Sequence, residues 1–269
     1  MQTKVRVTAA LLFAAALFAQ NPNPPPAQPA QPAQAAQPAQ RVEKEPVYVR
    51  RVSAGATLTV LGLPLVPKRE VNPITTSPAV DALYTTESLS RRVGYGITAQ
   101  LAITERFAAT ASLFLRRVGY KMTSDIYEGT DNPNTATDER KHTVRNEDTR
   151  AKLYDLPVVV RYYGKDRHES GVRWFVEAGA ALRRVTHIKT AIDTTIGSAD
   201  TVCCDVTPAK PELRTLRGLV AGAGFQLIDP IGIRVVPEVR YTRWMGNTFS
   251  SFSTLTQRNQ VEGMISLTF

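Results

Sequence analysis

The sequence predicts an all-β protein, a transmembrane antiparallel up-and-down β-barrel of about eight strands. Eight segments alternate apolar residues with small or polar ones, and the connections between them are alternately short and long. The aromatic residues of the apolar face fall near the segment ends. A strand between lipid and a lumen should alternate over about ten residues, because successive side chains point to opposite faces.

The N-terminus predicts export. The stretch MQTKVRVTAALLFAAALFA has a short basic region and an apolar run, as secretory signal peptides have, so we predict a signal peptide over residues 1–19. The run is shorter than the roughly 20 residues that a helix needs to cross a bilayer. Residues 20–48 are rich in Pro, Ala and Gln and predict an extended periplasmic linker, either a passive tether or a spacer that binds a partner. The barrel is predicted over residues 49–269.

Period-two alternation defines the strands. Apolar residues at every second position mark eight segments, 52–60, 93–103, 107–115, 154–162, 174–182, 219–227, 231–241 and 261–269. Gly, Ser, Thr and charged residues occupy most of the intervening positions. A soluble β-sandwich alternates in the same way, so the period alone does not separate the two folds.

The connections favour a barrel. Three are short, at 104–106, 164–171 and 229–230, whereas those at 62–92, 121–149, 187–214 and 245–259 are predicted to be longer loops. Membrane barrels have short periplasmic turns and long outer loops. With eight strands, both ends of the barrel domain fall on the short-turn side. The hydrophilic outer loops could bind a ligand or simply shield the barrel.

Aromatic residues support the same interpretation. Those near the predicted periplasmic rim are Phe107, Tyr162, Trp174, Phe225 and Phe269, and those near the outer rim are Tyr95, Tyr154 and Tyr241. Membrane proteins concentrate aromatic side chains at the two interfaces, whereas a sandwich would bury them in the middle of its core.

Charged residues lie on the predicted lumen face. They are Arg116, Asp155, Arg161, Glu177, Arg183, Arg217, Arg234, Glu238 and Arg240. Buried charges must be paired or solvated, so we expect an ion-pair network that fills the barrel. The excess of arginine over acidic residues suggests an anion-preferring pathway as the alternative. We favour the network, because an eight-stranded barrel is only wide enough for its own side chains. The inward glycines of the second and sixth segments could accommodate these arginines or leave local room.

No catalytic, cofactor or metal site is predicted, and we expect no enzyme. Cys203 and Cys204 are adjacent, which makes pairing between them strained, and we expect them to lie in a loop. His142, His168 and His187 fall in separate segments, without an evident acidic partner. A lipid-modifying enzyme is the least favoured alternative, since hydrolysis needs a nucleophile, a base and an orienting acid together.

The net charge of +9 is spread over strands, turns and loops. No nucleic-acid motif accompanies it, so we expect no nucleic-acid partner. We expect outer-membrane lipid as a partner instead, with Arg91, Arg92, Arg116 and Arg117 near its phosphates or in a merely solvated rim. We also expect a monomer.

Four segments carry a resemblance to a known family. They are LYDLPVVVRYYG (153–164), WFVEAGAALRR (174–184), GLVAGAGFQL (218–227) and VVPEVRYTRW (235–244). They resemble successive strands of the outer-membrane β-barrel family related to the small OmpA- and OmpW-type barrels, over residues 52–269. The resemblance implies an integral protein of the outer membrane of a Gram-negative cell envelope and assigns no catalytic residues.

The C-terminal stretch QVEGMISLTF resembles the signal that the barrel assembly machinery recognises in its clients. The corresponding positions are Gly263, Ile265, Leu267 and Phe269. As an edge strand, this segment would offer free backbone groups for strand addition to the machinery. Alternatively, Phe269 is only the last aromatic residue of the rim.

Overall fold

A computed structural model describes residues 50–73, 80–169, 171–197, 202–205, 210–229, 232–251 and 253–269. The predicted signal peptide and the linker over 20–48 lie outside these residues. The described strands are β1 (Val52–Leu61), β2 (Arg69–Val71), β3 (Val80–Ser88), β4 (Val93–Ala102), β5 (Phe107–Glu128), β6 (Lys141–Tyr163), β7 (Arg173–Ile196), β8 (Val202–Asp205), β9 (Thr215–Ile228), β10 (Arg234–Trp244) and β11 (Asn259–Thr268). The described residues contain no helix long and apolar enough to span a membrane.

Eight of these strands form a closed antiparallel ring in the order β1, β4, β5, β6, β7, β9, β10 and β11. The ring closes because β11 pairs back with β1, with Gly55 opposite Thr268 and Leu61 opposite Glu262. Closure gives every strand of the ring two neighbours and so removes free edges. The predicted up-and-down barrel of eight strands is confirmed.

The two ends of the barrel differ. Three short connections, 103–106, 164–172 and 229–233, lie at one end together with Arg50 and Phe269, and we call this the turn end. At the opposite end, β5, β6 and β7 continue beyond the barrel, and we call this the extension end. There β3 pairs with β5 from Val80 opposite Glu128 to Ser88 opposite Tyr120.

This extension corrects the prediction of long loops over 62–92, 121–149 and 187–214. Strands β2 and β3 lie within the first of these regions, 62–92. In the second, 121–149, β5 and β6 leave only residues 129–140 as a connection. In the third, 187–214, β7 and β8 occupy much of the sequence. Cys203 and Cys204 therefore lie in strand β8 rather than in a loop. Most side chains of the extended strands are polar, so these segments lack the regular apolar alternation that identifies the barrel strands.

An apolar cluster fills the lumen where the barrel meets the extension. Its buried members are Leu61, Leu65, Val66, Val118, Tyr120, Ala151, Leu153, Val185 and Phe249. Leu65 follows β1 and accepts a hydrogen bond from the Gln257 amide at 2.8 Å, which fastens two connections together over the lumen. The rings of Tyr120 and Phe249 are 5.7 Å apart and pack edge to face.

Candidate functional site

The centre of the lumen contains two groups of four charged side chains. The first, which we call the extension-side quartet, consists of Arg116, Asp155, Arg183 and Glu262. Arg183 forms a bidentate pair with Asp155, from Nε at 2.6 Å and Nη2 at 2.8 Å. Arg116 donates from Nη1 to Glu262 Oε1 at 3.0 Å and makes a second contact to the same carboxylate through Nη2. These charge-assisted bonds are the strong kind.

Neighbouring polar and aromatic groups hold the extension-side quartet in place. Gln260 Oε1 accepts from Arg183 Nη2 at 2.6 Å and from Trp244 Nε1 at 3.1 Å. The guanidinium carbon of Arg183 lies 4.0 Å from the centroid of the Trp244 ring, in a cation–π contact. Thr59 accepts from Arg116 Nη2 at 2.9 Å. The quartet is therefore connected to β1 and β10 as well as to its own strands.

The second group, the turn-side quartet, consists of Arg161, Glu177, Glu238 and Arg240. Glu177 receives Arg161 Nε on one oxygen and Arg240 Nε on the other, both at 2.8 Å. Glu238 lies 2.8 Å from Arg240 Nη2 and also pairs with Arg161, so positive and negative groups alternate around a closed circuit. All four side chains are almost completely buried.

Each quartet balances its own charge, with two guanidinium groups facing two carboxylates. The structure brings seven of the predicted lumen residues together in this way and adds Glu262, which lies at an inward position of the last predicted segment. Room for the long side chains comes from glycines. A Cβ at Gly94 would lie 2.7 Å from Arg116 Cγ, and one at Gly222 would lie 3.0 Å from Glu177 Oε1.

Two predictions for individual arginines are wrong. Arg217 was assigned to the lumen, but it lies on the exposed outer face of β9, and Leu216 occupies the buried inward position. Arg217 has the same parity as the outward Leu219, so alternation itself requires this placement. Arg116 was also expected near lipid phosphates at the rim, but its side chain is fully buried in the extension-side quartet. Arg234 lies in neither quartet but at the turn-end mouth of the lumen.

Arg217 belongs instead to a set of outward cations. On six neighbouring strands or strand ends, a basic residue lies two positions beyond an outward apolar residue of the barrel strand, toward the extension end. These residues, which we call the cation girdle, are Arg91, Arg117, Lys152, Arg184, Arg217 and Arg243. The girdle lies directly above the apolar outer surface, where long basic side chains can cover apolar atoms while their charges reach a polar layer.

The histidines do not form a metal site with the described residues. These residues contain no group of three or more His, Cys, Asp or Glu side chains placed to hold a metal ion. The expectation that no histidine has an acidic partner is wrong, since His142 Nε2 lies 2.5 Å from Asp125 Oδ1 and His168 lies 3.6 Å from Glu105. The Asp125 contact arises from the pairing of β5 with β6 in the extension, where loops had been predicted.

The chain resembles known proteins in its structure. No protein-family model and no curated protein matches the chain. The structure is similar to the outer membrane protein OprG of Pseudomonas aeruginosa, with 9% identity and a TM-score of 0.42, over 81% of this chain and 92% of that one. It is also similar to Ail, the attachment invasion locus protein of Yersinia pestis, solved with the heparin analogue sucrose octasulfate. That match has 10% identity and a TM-score of 0.35, over 81% of this chain and 97% of that one.

Proposed function

We propose that this chain is an integral outer-membrane protein whose filled barrel acts as a structural and interaction scaffold, displaying the β-extension at the cell surface. One observation carries the membrane assignment, namely an apolar belt around the outside of the barrel. Each of the eight barrel strands contributes large apolar side chains that are 42–65% exposed, for example Leu58, Ile97, Leu113, Val158, Val176, Leu219, Val239 and Ile265. A continuous apolar surface of this kind suits a bilayer and not water.

The two edges of the apolar belt support an orientation of the barrel with the turn end in the periplasm. At the turn end, Phe107, Tyr162 and Trp174 form a surface aromatic cluster, with successive ring centroids 5.2 and 6.2 Å apart. Aromatic clusters of this kind occur at membrane interfaces. At the extension end, the cation girdle would face the phosphates of outer-leaflet lipid, the partner we expect. Short turns are typical of the periplasmic side, so the same orientation places the extension outside the cell.

The lumen favours a scaffold over the alternative of a narrow anion or small-solute channel. An anion pathway needs an excess of positive charge along its length. That excess disappears from the centre of the described lumen, because Arg217 faces outward, Arg234 lies at the turn-end mouth and Glu262 joins the extension-side quartet. The apolar cluster around Leu65 and Phe249 then fills the lumen above the quartets. An eight-stranded barrel leaves little further space between its own side chains.

The C-terminal strand supports a role in assembly. Gly263, Ile265, Leu267 and Phe269 all lie on the outer face, and the Phe269 amide donates to the Ala54 carbonyl at 3.0 Å where the barrel closes. We propose that these four positions guide recognition by the barrel assembly machinery. A Phe269→Ala variant should then reach the outer membrane in smaller amount, while refolding from denaturant into detergent as readily as the unaltered chain. Equal outer-membrane yield would restrict Phe269 to a rim role.

Fractionation and conductance test the proposed function together. The full chain should be recovered with outer membranes and should migrate differently on gels with and without heating, as folded barrels do. Reconstituted into planar bilayers, it should give no steady anion-selective current. A soluble periplasmic product would refute the membrane assignment, and a steady current from the folded protein would refute the filled scaffold.

A further inference from the structure

Basic side chains gather in the lumen at the turn end, beyond the turn-side quartet. They line a small pocket that we call the mouth pocket, and the residues around it include Arg50, Glu105, Arg167, Arg173, Gln226 and Arg234. Four of these residues are arginines, and Glu105 is the single carboxylate among them. The mouth pocket therefore differs from the quartets, in which every guanidinium faces a carboxylate.

Two of these arginines are buried without a counter-charge. Arg173 and Arg234 are only 3% and 4% exposed, and neither has an ion-pair partner within the described ranges. Arg173 Nη2 donates to the main-chain oxygens of Glu105 and Lys165 at 3.3 and 3.1 Å, and Arg234 Nη2 donates to that of Arg50 at 3.1 Å. Arg167 contacts the half-exposed Glu105 carboxylate at 3.3 Å. Burying a cation without its counter-charge is strongly unfavourable, so the arrangement calls for an anion.

A second, independent observation comes from Gln226. Its side chain is 1% exposed and lines the mouth pocket, yet neither its amide oxygen nor its amide nitrogen has a hydrogen-bond partner in the described part of the chain. Arg167 Nε and Arg173 Nε are also buried donors without an acceptor there. Buried polar groups are nearly always satisfied, so several donors in one place indicate a ligand that supplies acceptor oxygens.

We propose that the mouth pocket binds a small, multiply charged oxyanion of the phosphate type, taken from the aqueous phase at the turn end. Guanidinium groups recognise such oxyanions through paired N–H donors, and the Gln226 amide nitrogen would add a neutral donor. The proposal depends on the barrel fold and not on the scaffold role, so either can fail without the other.

The direct test is calorimetric titration of the folded, detergent-solubilised full chain with inorganic phosphate at constant ionic strength. The unaltered chain should bind in a saturable manner. Arg173→Gln and Arg234→Gln should each weaken binding by about tenfold or more, the loss expected for one charge-assisted hydrogen bond. Arg217→Gln removes the same charge from the outer face and should leave phosphate binding unchanged.

A Gln226→Glu variant separates ligand binding from simple loss of structure. Its carboxylate would supply the missing counter-charge internally, so the barrel should resist heat better in phosphate-free buffer and should lose its phosphate binding. Heat-modifiable migration verifies that each variant is folded. The proposal is overturned if the folded chain binds no phosphate, if acetate binds more tightly than phosphate, if Arg217→Gln weakens binding equally, or if Gln226→Glu still binds phosphate like the unaltered chain.

Discussion

Neighbouring residues on one barrel strand face opposite environments, and the contrast is sharpest on β6 and β7. Arg161 and Glu177 are buried in the lumen and paired with each other, whereas the adjacent Val160 and Val176 are half-exposed on the outer face. A water-soluble protein has the reverse arrangement, with apolar side chains inside. Polar contacts therefore hold this barrel together inside the lumen, while its outer face is suited to an apolar solvent. Substitutions on the two faces should therefore lower the stability of the barrel for different reasons.

The largest effect is expected inside. Glu177→Gln leaves Arg161 and Arg240 sharing only the Glu238 carboxylate, and removing one partner of a buried ion pair costs about 3–5 kcal/mol. The free energy of unfolding, measured by urea titration in detergent, should fall by that amount. A fall below about 1 kcal/mol, the range for an exposed pair, would contradict the account of the turn-side quartet.

A comparable effect is expected on the outer face, but only in a bilayer. Val158→Arg places a charge in the apolar belt and should lower the stability of the vesicle-folded protein by about 2–4 kcal/mol, the cost at the membrane midplane. Thr215→Arg, at an exposed position beyond Arg217 toward the extension end, is the matched control and should cost about 0–1 kcal/mol. Equal costs at the two positions would mean that the belt does not lie in lipid.

A smaller effect should come from crowding the extension-side quartet. In Gly94→Ala the new methyl group would lie 2.7 Å from Arg116 Cγ and Nε, so the Arg116 side chain must shift within the extension-side quartet. Overpacking of this kind costs about 1–3 kcal/mol. Gly263→Ala is the control, because a Cβ there meets no atom within 4 Å. Identical unfolding curves for the two variants would show that a methyl group at position 94 does not disturb Arg116.

The smallest effect is expected in the extension. Arg150 forms a salt bridge with Asp148 at 2.8 Å, but its side chain is 73% exposed. Asp148→Asn should therefore change the free energy of unfolding by less than about 1 kcal/mol, the usual value of a surface pair. A loss as large as that of Glu177→Gln would remove the contrast between exposed and buried pairs.

How far the sequence predicts this structure depends on whether a feature is local. The outward set on each strand follows from period two, so positions such as Ile97 and Val158 are predictable. The partners across the lumen are not local. Arg116 meets Glu262 because the closure of β11 on β1 brings residues 146 positions apart together. Alternation alone places Glu262 inside but says nothing of which arginine it meets.

Other features escaped prediction for different reasons. Most side chains of the strands beyond the barrel are polar, so the extension of β5 and β6 is hidden from a test of apolar alternation. The mouth pocket draws residues from turns as well as strands, including Arg167 and Arg50, and no periodic signal connects them. Arg217 is the opposite case, because counting from Leu219 would have placed it outside.

The two tryptophans offer the most direct test of the contrast between faces, since Trp174 lies on the outer surface and Trp244 is buried in the lumen. Trp244→Phe leaves Trp174 as the single tryptophan reporter, and Trp174→Phe leaves Trp244. In vesicles of lipids with brominated acyl chains, which quench tryptophan fluorescence on contact, the Trp174 emission should be strongly quenched and the Trp244 emission largely preserved. Equal quenching of the two, or none at Trp174, would contradict a filled barrel with lipid on its outer face.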